Sequence, residues 1–238
     1  LVLQGEELAV YRAELGDLFH VVVVGVDEEL PFKREEKLDV PPQDVIDAAI
    51  SLGAVAFIAH PYWSMLTLKD LITLNNFLGI EVYNTTCDLS IGKGLSSVHW
   101  DMLLTSNRKV YGLAVDDAHW HISNIRPPDT CVSWVMVKAV EKTKDAVIEA
   151  LKKGLFYSST GPMIKRILVE DDCIKVWSSK CKSIKFIADI WRGSRVSARP
   201  NEYIEYAEYR LRGDEKYVRI ECEGIDGSMA WSNPIFFV

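Results

Sequence analysis

Three times in this chain a helical pattern runs into a glycine and then directly into an apolar strand. Pro41-Pro42 opens a helix to about Leu52, with Val45, Ile46, Ala49 and Ile50 at helical spacing, then Gly53 and the run Ala54 to Ala59. Thr67 and Asp70 form a capping-box pattern, that helix runs to about Leu78, and Gly79 precedes Ile80 to Tyr83. Thr143 caps a helix to about Lys153, and Gly154 precedes Leu155 to Ser158. Such alternation predicts crossover units and a mainly parallel sheet. A further helix, capped by Ser96 or Ser97, leads to the apolar run Val110 to Val115, which reads as a strand covered on both faces. Before these units, Glu14-Leu15-Gly16-Asp17 is a turn between Leu8–Tyr11 and the β-branched Phe19–Val26, a hairpin pattern. No GxGxxG or GxxxxGK[ST] follows any strand, which removes support for nucleotide folds built on those loops.

From Gly161-Pro162 the texture changes to short strand-like runs separated by Asp171-Asp172, Arg212-Gly213-Asp214 and Asp226-Gly227. The division expected is residues 1–162 as one domain and 163–238 as a small antiparallel, sandwich-like β domain. Hydrophobic residues make up 48% of the chain, enough for a core in each part. A net charge of −7 without a basic block argues against binding nucleic acid through a broad basic surface. No apolar run reaches membrane-spanning length. The five cysteines show no CxxC pair and read as buried reduced thiols, the usage of a cytoplasmic protein.

Two strands end in titratable side chains. Ala54 to Ala59 stops at His60, and Val110 to Val115 stops at Asp116-Asp117-Ala118-His119. Ligands gather where parallel strands end, and alternate residues of an extended segment share a face. Asp117 and His119 therefore point one way and Asp116 the other, toward a role in turn capping or ligand orientation. Imidazole and carboxylate groups at strand ends are the donors of a divalent-metal site, which makes His60, Asp117 and His119 the candidate catalytic residues. His99, beside Trp100 in an amphipathic helix, reads as structural, and His121 joins the site only if the chain stays extended past His119. Glu81, inside a strand, needs a buried partner. Asn84, with Asp88, sits where a substrate could be contacted, and Arg126 is a candidate for a phosphate.

In order along the chain, Ala59-His60-Pro61, Gly79-Ile80-Glu81-Val82-Tyr83-Asn84 and Asp116-Asp117-Ala118-His119 resemble motifs of the PHP (polymerase and histidinol phosphatase) family. Gly5-Glu6-Glu7 and His20-Val21-Val22-Val23-Val24-Gly25 fit its earlier glutamate and histidine motifs. Trp100 to Leu104 and Ser159 to Pro162 are similar to segments of members with a β domain after the barrel. The resemblance implies a distorted (β/α)7 TIM-like barrel, two or three divalent ions (zinc, manganese or iron) at its strand ends, and hydrolysis of a small phosphorylated metabolite or nucleotide. The ligands it implies are Glu7, His20, His60, Asp117 and His119. The family's first strand carries an HxH pair, and this sequence opens on Leu1 without one. The expectation is a chain that starts after that strand and holds an incomplete cluster.

Hairpin spacing sets its own expectation. A turn centred on Leu15-Gly16 puts Tyr11 opposite His20 and separates Glu7 from His20 by four residues, on the order of 13 Å. Two other readings compete with the phosphoesterase. One is a degenerate binding module, with Trp177, Trp191 and Trp231 as a stacking platform, although core packing suits tryptophan better. The other is a barrel hydrolase of the amidohydrolase type.

Overall fold

The expected barrel does not form. The structure, a computed structural model, describes residues 1–32, 39–120 and 127–237. Its first sheet contains β1 (Gly5–Arg12), β2 (Leu18–Val24), β3 (Val55–Ile58), β4 (Gly79–Asn84) and β5 (Tyr111–Val115), side by side in chain order and not closed. Only the β3–β4 and β4–β5 pairs are parallel; β1–β2 and β2–β3 are antiparallel. The helix α1 (Pro42–Ser51) thus joins two antiparallel strands, as does α5 (Lys144–Lys152), which links β6 (Trp134–Val137) to β7 (Phe156–Ser159). True crossovers run through α2 (Leu68–Ile72) and through α3 (Thr85–Ile91) with α4 (Ser97–Thr105).

The physical reason lies in what a terminal glycine encodes. Gly53 and Gly154 take positive φ (77° and 67°) and end their helices, but nothing in that cap dictates the direction of the next strand. Gly79 serves a different end. A Cβ there would fall 2.0 Å from the Tyr111 carbonyl oxygen, so its absence lets β4 approach β5 closely. Beyond β5 the sheet stops. The Ala114 N–H donates to Ser158 Oγ (3.0 Å), and that hydroxyl donates to the Gly112 carbonyl (2.8 Å), replacing a backbone neighbour at these residues.

The remaining strands form two antiparallel sheets. One runs through β11 (Gly193–Ser197), β10 (Ser183–Ala188), β13 (Tyr217–Glu223), β14 (Met229–Ser232), β7 and β6, with β15 (Ile235–Phe236) added to β13. The other holds β12 (Ile204–Arg210), β9 (Cys173–Cys181) and β8 (Ile164–Glu170). Ile174, Val176, Ile184, Phe186, Val218 and Ile220 fill the space between them. Arg219 of β13 is buried and grips Asp101 of α4 with Nε and Nη2, both at 2.7 Å, so an ion pair joins this sheet to the first sheet's helices.

The three tryptophans do not share a platform: Trp231 stacks on Tyr83, Trp177 meets Tyr206, and Trp191 lies exposed beside Arg192 and Arg212. No disulfide joins the cysteines. Cys87, Cys181 and Cys222 are buried, whereas Cys131 is exposed. Among the described residues no helix is long and apolar enough to cross a membrane.

The β1–β2 hairpin shows why one face carries the site. Leu8, Val10, Phe19, Val21 and Val23 alternate onto one buried face, against Val45, Ile46 and Ala49 of α1. Glu7, Ala9 and His20 occupy the opposite face of the same strands and line a cavity.

Candidate metal centre

Glu7 and His20 are brought together by a bulge. Ala9, not Tyr11, pairs with His20, because the register shifts between Val10 and Arg12 and Tyr11 takes a φ of 29°. The loop also tightens around Leu15: the Ala13 N–H donates to the Asp17 carbonyl and the Gly16 N–H to that of Ala13. Glu7 thereby becomes the diagonal neighbour of His20, with Oε1 2.7 Å from Nδ1. The separation of four residues expected from the turn is corrected to two.

His60 follows β3 and completes a group of three. Its φ of 28° breaks the extended geometry just after the last ladder residues. Its Nε2 lies 3.8 Å from Glu7 Oε1, and its ring centroid lies 4.8 Å from that of His20. Ser64 Oγ sits 2.9 Å from His60 Nδ1, and Trp63 covers the ring edge at 5.0 Å between centroids. The potential ligand atoms of Glu7, His20 and His60 all fall within 4.8 Å of one another. A tetrahedral ion with bonds of about 2.0–2.1 Å needs ligand atoms about 3.3 Å apart, a spacing that the observed 2.7 and 3.8 Å bracket. One carboxylate and two imidazoles also suit zinc, iron or manganese chemically. The three residues fit a divalent ion.

Asp117 and His119 line the same cavity, of about 350 Å³, without joining that group of three; Thr86, Cys87 and Ser90 form more of its wall. His119 Nδ1 lies 2.7 Å from the Asp117 carbonyl oxygen, which can only accept, so the neutral ring carries its proton on Nδ1. The His119 N–H donates to Asp129. Asp116 points away and accepts the N–H groups of Cys131, Val132 and Ser133 and the hydroxyl of Thr85, pinning the following loop. Asn84 is fully buried behind the cavity, with Glu81 and Asp117 as partners of its amide; its burial is at odds with the substrate contact expected of it. It also caps α3, a helix that the sequence patterns did not reveal. His99 lies away from the site, its Nε2–H donating to the Leu66 carbonyl at 3.0 Å. Arg126 and His121 lie outside the described residues.

The electrostatics follow from this packing. The hydrogen bond from His20 and the nearby imidazole of His60 hold the Glu7 carboxyl at about 2, against an ordinary 4.5. Burial favours neutral His60, but Glu7, Glu81 and Asp117 together outweigh it and raise its pKa. Burial pushes Glu81 up to about 7. Without metal, the stability from ionised Glu7 is therefore complete above 4.5 and lost as pH falls toward 2. The stability from charged His60 is complete below 6.5 and lost as pH rises through its raised value. Metal affinity moves the other way, rising with pH as His60 gives up its proton. Urea unfolding of the metal-free chain and its Glu7→Gln variant checks the acid limb: their difference shrinks from pH 5 to pH 2. A zinc titration across the neutral range checks the other limb.

Comparison with protein-family models, with curated proteins and with solved structures finds no match to this chain.

Proposed function

We propose that this protein is a metal-dependent phosphoesterase acting on a small phosphorylated substrate. The observation that carries the reading is the convergence of Glu7, His20 and His60 on a cavity whose wall also holds Asp117 and His119. Glu7, His20 and His60 would hold one divalent ion, of zinc, manganese or iron, and Asp117 and His119 on the same cavity wall would be further donors for a second. Bound there, the ion supplies Lewis acidity toward a phosphoryl oxygen and lowers the pKa of a water. The chain's own groups do the rest. Ser64 orients the His60 ring through Nδ1, leaving Nε2 to face Glu7. His119, protonated on Nδ1, would have Nε2 to offer that second ion.

The test strips the chain with a chelator and restores zinc, manganese or ferrous iron singly. Release of p-nitrophenol from its phosphate monoester or diester should appear only with metal. Turnover confined to a p-nitroanilide would assign amide hydrolysis instead. Stoichiometric metal binding with no turnover of either would favour a binding module.

A further inference from the structure

Three consecutive parallel strands end at this site, and the middle one carries no ligand of its own. It carries Glu81 and Asn84, respectively 3% and 0% exposed. Glu81 Oε2 accepts the backbone N–H of His60 at 2.8 Å, past the last ladder residues of β3. The same oxygen accepts from Asn84 Nδ2 at 2.9 Å. The second Nδ2 hydrogen goes to Asp117 Oδ2 at 3.1 Å, beyond the end of β5. Asn84 Oδ1 accepts the Cys87 N–H. The amide has one stable orientation, because the flipped one would set its oxygen against two carboxylates and its NH₂ against an N–H donor. Both residues held in this way, His60 and Asp117, have positive φ (28° and 50°), a costly conformation for side chains other than glycine.

We propose that Glu81 and Asn84 are a positioning pair, spanning from β4 to both neighbouring strand ends and setting where His60 and Asp117 stand relative to each other. The pair touches neither ion nor substrate. Glu81 acts through the His60 backbone and Asn84 through the Asp117 carboxylate. This rests on the metal reading above and adds to it the source of the ligand geometry: interlocked hydrogen bonds on the central strand offset the strain of two turns.

The experiment uses cobalt(II), whose visible bands report ligand number and placement. Asn84→Ser keeps an oxygen to cap α3 but cannot reach Glu81 and Asp117. Cobalt affinity should fall at least about tenfold, with shifted bands, as it does when groups supporting metal ligands are removed. Glu81→Gln keeps an acceptor oxygen for the His60 N–H and should bind within about twofold of the unsubstituted chain. Glu81→Leu, with no acceptor, should lose at least about tenfold. A merely structural role would lower the urea midpoint and leave the bands of the folded variants unchanged. Should Asn84→Ser fail to fold, the Glu81→Gln and Glu81→Leu contrast decides the matter by the same spectrum. Cobalt binding that survives Asn84→Ser and Glu81→Leu with unchanged bands overturns the positioning alone, as does a Glu81→Gln variant no better than Glu81→Leu. No cobalt binding by the unsubstituted chain overturns the metal reading and this proposal with it.

Discussion

On the proposed function, His60→Ala should lower the affinity of the chain for zinc by at least about 100-fold and reduce phosphate-ester hydrolysis to the level of chelated protein. Loss of supporting groups around a metal ligand costs about 10- to 100-fold, and loss of a ligand itself costs more. The two ligands that remain, Glu7 and His20, already satisfy each other at 2.7 Å, so an ion must compete with their hydrogen bond for an incomplete shell. Competition with a chromogenic chelator measures the affinity. His60→Asn, which keeps more of the buried volume, controls for packing at this 3%-exposed position. Unchanged zinc affinity in both variants would remove His60 from the centre.

Asp101→Ala should lower the unfolding free energy by about 2–3 kcal/mol, below the range for a wholly buried ion pair because Asp101 is partly exposed and Arg219 keeps Glu221. The Arg219 side chain is 1% exposed and has three anchors: Asp101 through two 2.7 Å bonds, Glu221 at 2.6 Å, and the Trp100 ring 4.9 Å from its Cζ. The Asp101 side chain is 34% exposed, so its direct attraction is partly screened. The cost arises from the guanidinium, which keeps its burial and loses a bidentate acceptor. Tyr217 loses an acceptor as well, since its hydroxyl donates to Asp101 at 3.2 Å. Urea unfolding of the metal-free chain reads the change, and a loss below about 1 kcal/mol would show that the pair is dispensable.

Local features of the sequence marked the site better than they marked the fold. His60 and Asp117 were legible because each ends an apolar run, and a titratable group there has to be paired or functional. Glu7 and His20 were legible only through a resemblance to motifs of a known family. Their true spacing depends on the Tyr11 bulge, a one-residue irregularity that side-chain alternation does not announce. Glu81 stood out as a charge inside an apolar strand, but its partner, the backbone of His60, comes from another strand. Strand direction was the main loss. Glycine after a helix signals a stop, yet β2 and β3 run antiparallel across α1, and β6 and β7 across α5. Those directions depend on non-local pairing: β7 takes β14, some seventy residues later, as its second neighbour.

Ser158 occupies the place a further strand would take beside Gly112 and Ala114. Fibril growth begins where a bare border of a sheet can be extended by another chain. At these two rungs the molecule already supplies its own stopper, a hydroxyl both donating and accepting. Crowding copies together along that border therefore gains them no extra pairing there.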